Sequence, residues 1–197
     1  MSTATQQATQ PMQAAGRGAI AAAVIGNWLE FFDFTVYGFF AVIIGKLFFP
    51  STDATVSLLL SVATFAAGFF TRPLGSVLLG VYADRKGRRS ALNLTITLMA
   101  ASTGLIAIAP TYAQIGIAAP LLVVFARLVQ GFSQGGEFGA ATSALLENGA
   151  SAQRGARTSW QLATQGAAAL SGSGIAALLS AALPRESLES WGWRVPF

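Results

Sequence analysis

Four charged residues stand where an apolar chain should carry none. Between Gly18 and Gly45 the only formal charges are Glu30 and Asp33, spaced i, i+3, with Tyr37 one turn further on. Residues three and four apart on a helix share a face, so these three side chains project together. Much later, Arg127 is followed at helical spacing by Gln130, Gly131 and Gln134. Glu137 lies about 80° round and about 15 Å along the axis from Arg127. An acid at the centre of a membrane helix costs roughly 2.5–3.5 kcal/mol, so such residues point to chemistry. A carboxylate held opposite an arginine can exchange a proton, and a guanidinium can grip an organic carboxylate through two parallel hydrogen bonds. Arg127 and Glu137 are too far apart to satisfy each other, so each needs a partner on another helix. For Arg127 the opposite charge comes from Asp33 or Glu30.

Other chemistries are absent from the composition. The 197 residues include no His and no Cys, which excludes zinc sites, disulfides, thiol nucleophiles, haem ligation and Ser/His or Cys/His catalysis. No metal site, no catalytic residue and no cofactor is expected, and the chain does not read as an enzyme; protons would be its coupling ion. There is no GxxxxGK[ST] segment to bind ATP. Gly172-x-Gly174-x-x-Ala177 mimics a dinucleotide fingerprint, but it sits inside an apolar run with no preceding strand.

The elements that must position these residues are membrane spans. Apolar residues make up 53% and charged residues 10%, against about 25% charged in a soluble domain, and the mean hydropathy is +0.58. Residues 1–17 read as a disordered polar tail. Apolar runs follow at Gly18–Gly45 and from Ala54 past Arg72 to about Tyr82. The 37 residues from Ser90 to Ala126 carry no formal charge. As one helix they would extend about 55 Å, against a hydrocarbon core of about 30 Å. They are therefore two spans, with a turn at Ala109-Pro110-Thr111-Tyr112, and the fourth span runs from about Ile115 to Leu146. A fifth covers Thr158–Pro184. In the fourth, Gly131, Gly135 and Gly139 form overlapping GxxxG patterns that let helices approach closely.

Alternate connections hold Arg17, Arg85, Lys86, Arg88, Arg89, Arg154 and Arg157 on one side, against Lys46 and Arg185 on the other. Seven cations against two predict a cytoplasmic N-terminus, and Trp191 and Trp193 would sit in the aromatic belt at the outer interface. The net charge of +4 is concentrated in these short connections, so it reads as a topology signal and not as a nucleic-acid surface. The fold class is all-α: a polytopic helix bundle over 18–197, with five spans and the start of a sixth.

Gly80-Val81-Tyr82-Ala83-Asp84-Arg85-Lys86-Gly87-Arg88-Arg89 resembles the signature loop of the major facilitator superfamily, G-x-x-x-D-R-x-G-R-[RK]. Arg127-Leu128-Val129-Gln130-Gly131 resembles the R-x-x-Q-G motif of its proton-coupled members. Gly26-Asn27-Trp28-Leu29-Glu30-Phe31-Phe32-Asp33-Phe34, Arg72-Pro73-Leu74-Gly75, Gly135-Gly136-Glu137 and the closing Trp191–Phe197 are similar to the metabolite:proton symporters. That resemblance implies the N-terminal half of a twelve-helix fold of inverted repeats with substrate near the midplane, in the inner membrane. It implies symport of protons with a small organic acid such as citrate or another di- or tricarboxylate, by alternating access. The alternatives are a proline/betaine symporter or an inactive truncated product. It places Asp33, Glu30, Arg127 and Glu137 in proton coupling. Arg127, Tyr37, Asn27, Gln130, Gln134, Gln161 and Gln165 would line the substrate site; Ser159-Trp160-Gln161 with Gln165 looks most like the citrate branch. Gly80, Asp84, Arg85, Gly87, Arg88 and Arg89 would form a gating loop against a C-terminal half that lies outside these residues. The expected partners are the lipid bilayer, that second half and the substrate.

Overall fold

The computed structural model describes residues 17–147 and 154–197, and among them it contains helices and no strand. Five helices are long: α1 (Arg17–Phe48), α2 (Ala54–Lys86), α3 (Arg88–Ile108), α5 (Ala118–Glu147) and α6 (Arg154–Ala182). Two are short, α4 (Tyr112–Ile115) and α7 (Arg185–Ser190), and a 3-10 turn covers Gly192–Arg194. The tail expected over 1–17 lies outside the described residues except for Arg17, which is already helical.

Among the described residues four segments are long and apolar enough to cross a membrane: Val24–Phe48, Ala54–Lys86, Ser90–Ile108 and Leu162–Ala182. Their outward faces carry Phe39, Leu59, Phe70, Leu162, Leu170 and Leu178, all exposed, as suits a lipid solvent. The fifth long helix, α5, is not among them, because Arg127, Gln130, Gln134 and Glu137 dilute its apolar character. Its 30 residues still extend about 45 Å. It occupies the centre, packed on α2, α3 and α1, and so it buries its polar groups among protein instead of presenting them to lipid.

The α2–α5 interface is the most extensive in the bundle, and glycine makes it possible. A Cβ on Gly131 would overlap the Gly68 carbonyl oxygen, and one on Gly135 would overlap that of Arg72. From the other side, Gly75 abuts Phe132, and a Cβ on Gly68 would stand 2.9 Å from the Arg127 oxygen. Backbone meets backbone along two turns. Gly139, the third glycine of the pattern, lies outside the residues whose surroundings are described.

Helix boundaries depart from the sequence expectation in three places. The charged stretch 84–89 is not an extended loop: α2 runs through Lys86, α3 starts at Arg88, and Gly87 alone reverses the chain at φ +92°, ψ 147°. Only glycine adopts that conformation readily. The fourth span begins at Ala118 and not near Ile115, because α4 intervenes. Thr111 and Gln114 form its capping box, and Gly116 at φ +60° ends it. The described part of the fifth opens at Arg154, four residues ahead of the expected Thr158. The residues between, 148–153, lie outside those described.

The other end of the bundle is closed by the last residues. Trp193 is wholly buried, edge-on to Phe48 at 5.7 Å and to Phe197 at 6.1 Å. This corrects its expected place in an interfacial belt; Trp191 remains half exposed. The cause is Arg194, which donates to the carbonyls of Ala107 and Ala109 at 2.8 Å each. It thereby satisfies the carbonyls that the end of α3 leaves unpaired and draws Trp193 under α1.

Candidate substrate and proton site

Among the described residues two ion pairs occupy the middle of the bundle. Arg127 of α5 reaches Asp33 of α1, Nη1 to Oδ2 at 2.5 Å, with side chains 2% and 4% exposed. The same nitrogen donates to Gln130 Oε1 at 2.6 Å, and Gln130 Nε2 donates in turn to Thr103 Oγ1 of α3 at 2.7 Å and lies 3.4 Å from Asp33 Oδ1. The guanidinium lies over the ring of Tyr37, 4.0 Å from its centroid, and 5.6 Å from that of Phe65. Burial of an ion pair repays its desolvation only when remaining donors and acceptors are satisfied. On the Asp33 side Gln130 does this. On the Arg127 side, Nε and Nη2 have no acceptor among the described residues.

Glu30 does not take part in that pair. It pairs with Arg72 of α2, which also donates to Gln134 Oε1 of α5, from Nη2 at 2.7 Å and from Nε at 3.2 Å. The rings of Phe69 and Phe34 flank this guanidinium at 4.5 and 5.2 Å. Of the two acids offered to Arg127 by the sequence, Asp33 therefore takes it. Arg72, quoted above only within a symporter-like motif, was not expected as the partner of Glu30. The signal lay in the same reasoning that singled out Glu30: it is a charge in mid-span, 18 residues into α2.

Glu137 departs from expectation. It is 2% exposed, yet neither carboxyl oxygen has a hydrogen-bond partner among the described residues. It lies against Gly26 of α1, where a Cβ would overlap Oε1. That glycine makes room for the carboxyl one turn before Glu30.

The remaining residues divide. Tyr37 gives its hydroxyl to α2, donating to the Ser61 carbonyl at 2.9 Å, so its ring and not its hydroxyl serves Arg127. Asn27 is buried and lies 3.5 Å from Gln165 Nε2, which links α1 to α6. Gln161 and Arg89 have side chains outside the described set. Gly80 is open, with nothing near a would-be Cβ, and Asp84, Arg85 and Arg88 are exposed about Gly87. This cluster stands at the end of the bundle, apart from the buried pairs.

Long helices with apolar outer faces, with the mid-span charges Glu30, Asp33, Arg127 and Glu137 turned inward, define a multi-pass membrane protein with a polar core. The chain belongs to the family described as "Sugar (and other) transporter", which residues 19–197 match, within the major facilitator superfamily. It is 43% identical over 180 residues to the citrate-proton symporter of Klebsiella pneumoniae, covering 91% of this chain and 40% of that protein. It is 42% identical over 181 residues to the proline/betaine transporter of Salmonella typhimurium, 92% and 36% of the two chains. Against the alpha-ketoglutarate permease of Escherichia coli the identity is 38% over 179 residues, 91% and 41%. These relatives are transporters, not enzymes, and the chain spans about two fifths of their length. No solved structure matches the chain.

Proposed function

We propose that this chain forms the N-terminal half of a secondary active symporter. It would carry a small organic acid, citrate or another di- or tricarboxylate, across the inner membrane together with protons by alternating access. The observation that carries this reading is the half-used guanidinium of Arg127: one nitrogen serves Asp33 and Gln130, while Nε and Nη2 have no acceptor among the described residues. A carboxylate can take two parallel bonds from such a fork. A proton arriving on Asp33 removes the charge that holds Nη1 and releases Arg127 toward the substrate, so proton and anion load together. Glu137 provides a second carboxyl to carry a proton. The membrane potential contributes about 2.3 kcal/mol per charge per 100 mV, or roughly fifty-fold accumulation. The cation asymmetry supports a cytoplasmic N-terminus and a cytoplasmic Gly87 turn, where Asp84, Arg85 and Arg88 would meet the second half of the transporter.

A proline/betaine symporter is the second reading, favoured by the 42% identity to such a transporter. Uptake by the full-length protein in membrane vesicles separates the two. With a pH gradient imposed, labelled citrate should accumulate and labelled glycine betaine should not. Accumulation of betaine alone would reverse the assignment.

A further inference from the structure

Three buried N–H-bearing nitrogens in the middle of the bundle have no acceptor among the described residues: Arg127 Nε, Arg127 Nη2 and Gln134 Nε2. Arg127 and Gln134 are 2% and 4% exposed, too buried for bulk water to serve them. They border one small cavity, about 10 Å³, together with Gln130 and the rings of Phe34, Phe65 and Phe69. That volume admits one water-sized group.

The side-chain acceptors around these groups each already take at least one charged donor. Asp33 Oδ2 and Gln130 Oε1 take Arg127 Nη1, and Glu30 Oε1 takes Arg72. The amide of Gln134 is oriented by the same logic. A guanidinium has donors and no acceptor, so the atom of Gln134 that faces Arg72 must be the oxygen, as the contacts at 2.7 and 3.2 Å have it. The NH2 is therefore turned away from Arg72. Arg72 is itself held by Glu30 and by the faces of Phe69 and Phe34. A chain of fixed contacts runs from Glu30 through Arg72 to Gln134.

We propose that the Glu30–Arg72 pair is a positioning device, which fixes the Gln134 amide so that the cavity presents donors only and receives one ionised carboxylate oxygen of the substrate. The proposal rests on the carboxylate reading above and adds two things to it. Gln134, already expected to line the substrate site, gains a defined role as a donor beside Arg127, and the Glu30–Arg72 pair acts through it. A donors-only receptor accepts an ionised carboxylate and leaves the hydroxyl of a protonated acid or the NH2 of an amide facing another donor. Arg72 already lies over one face each of Phe34 and Phe69.

Calorimetric binding of citrate and of glycine betaine at pH 7 to the purified full-length protein tests this. Gln134→Met, which keeps the volume and removes the donor, should weaken binding of whichever probe the wild type takes by about tenfold to a hundredfold. The double variant Glu30→Gln/Arg72→Gln removes both charges together and orphans neither. It should weaken binding by a smaller factor. Adding Gln134→Met to it should then cost much less than in the wild type, because residues acting through one contact are not additive. Unchanged affinity in Gln134→Met overturns the receptor, and full additivity overturns the positioning role. A wild type that binds neither probe overturns the carboxylate reading itself.

Discussion

Gly68 of α2 and Gly131 of α5 touch through their backbones. A Cβ on Gly131 would overlap the Gly68 oxygen and stand 2.6 Å from Thr71 Oγ1, and a Cβ on Gly68 would stand 3.8 Å from the Gly131 α-carbon. The contact sets the distance between α2 and α5 at the level of the buried Arg127 and the half-buried Arg72. Thr71 reinforces it, its hydroxyl 2.8 Å from the Leu128 carbonyl.

Gly131→Ala should accordingly destabilise the bundle by about 1–3 kcal/mol, the cost of overpacking, despite the gain in helix propensity. Gly80→Ala and Gly104→Ala, where a Cβ meets nothing within 4 Å, should be neutral or gain up to about 1 kcal/mol from that propensity. Thermal unfolding in detergent checks the contrast. Equal melting of Gly131→Ala and wild type would contradict the close approach.

Much of this site was legible because lipid makes charge conspicuous. Glu30, Asp33, Arg127 and Glu137 stand out in apolar runs, and the four fall within the buried core. Pairing was less legible. Asp33 and Glu30 share a helix face, and which one meets Arg127 depends on how α1 is rotated against α2 and α5. Arg72 passed as a break in a long apolar run, although a cation in mid-span answers Glu30 directly. The GxxxG spacing in α5 pointed to close packing, but its complement in α2, Gly68 and Gly75, is spaced seven apart and escapes a four-residue pattern. The burial of Trp193 could not be read locally, since it follows from Arg194 capping a helix 85 residues earlier.

At the end of the bundle opposite Gly87, Glu189 accepts from Arg185 at 3.0 Å and from Lys46 at 3.2 Å, tying α7 to α1. The bond from Arg185, then that from Lys46, holds the Glu189 carboxyl below its ordinary 4.5. A carboxylate with a lowered folded value stabilises above its unfolded value and loses that contribution as pH falls through the folded one. The tether should therefore be complete at neutral pH and fade on acidification below about 4.5. Such exposed pairs contribute about 0.2–1 kcal/mol. Amide hydrogen exchange in α7, corrected for intrinsic rates, should quicken at acid pH and in Glu189→Gln at pH 7. Protection that is identical in wild type and variant would leave the tether without effect.

Orientation can be read with single cysteines, because the chain has none of its own. Ser90 and Ser190 are exposed at opposite ends of the bundle. With the N-terminus cytoplasmic, an impermeant maleimide should label Ser190→Cys in intact cells and Ser90→Cys only after permeabilisation. The reverse pattern would invert the topology.

The ion pair between Asp33 and Arg127 carries the coupling proposal, and Asp33→Asn addresses it with the least disturbance. The amide keeps the size of the side chain and an acceptor for Arg127, as the protonated acid would, but it cannot release a proton. Full-length wild type and variant should be compared in the same vesicles in two modes: accumulation of labelled substrate driven by a pH gradient, and exchange of labelled for unlabelled substrate without one. Coupling at Asp33 predicts that the variant loses accumulation and retains exchange. Normal gradient-driven accumulation in Asp33→Asn would contradict it.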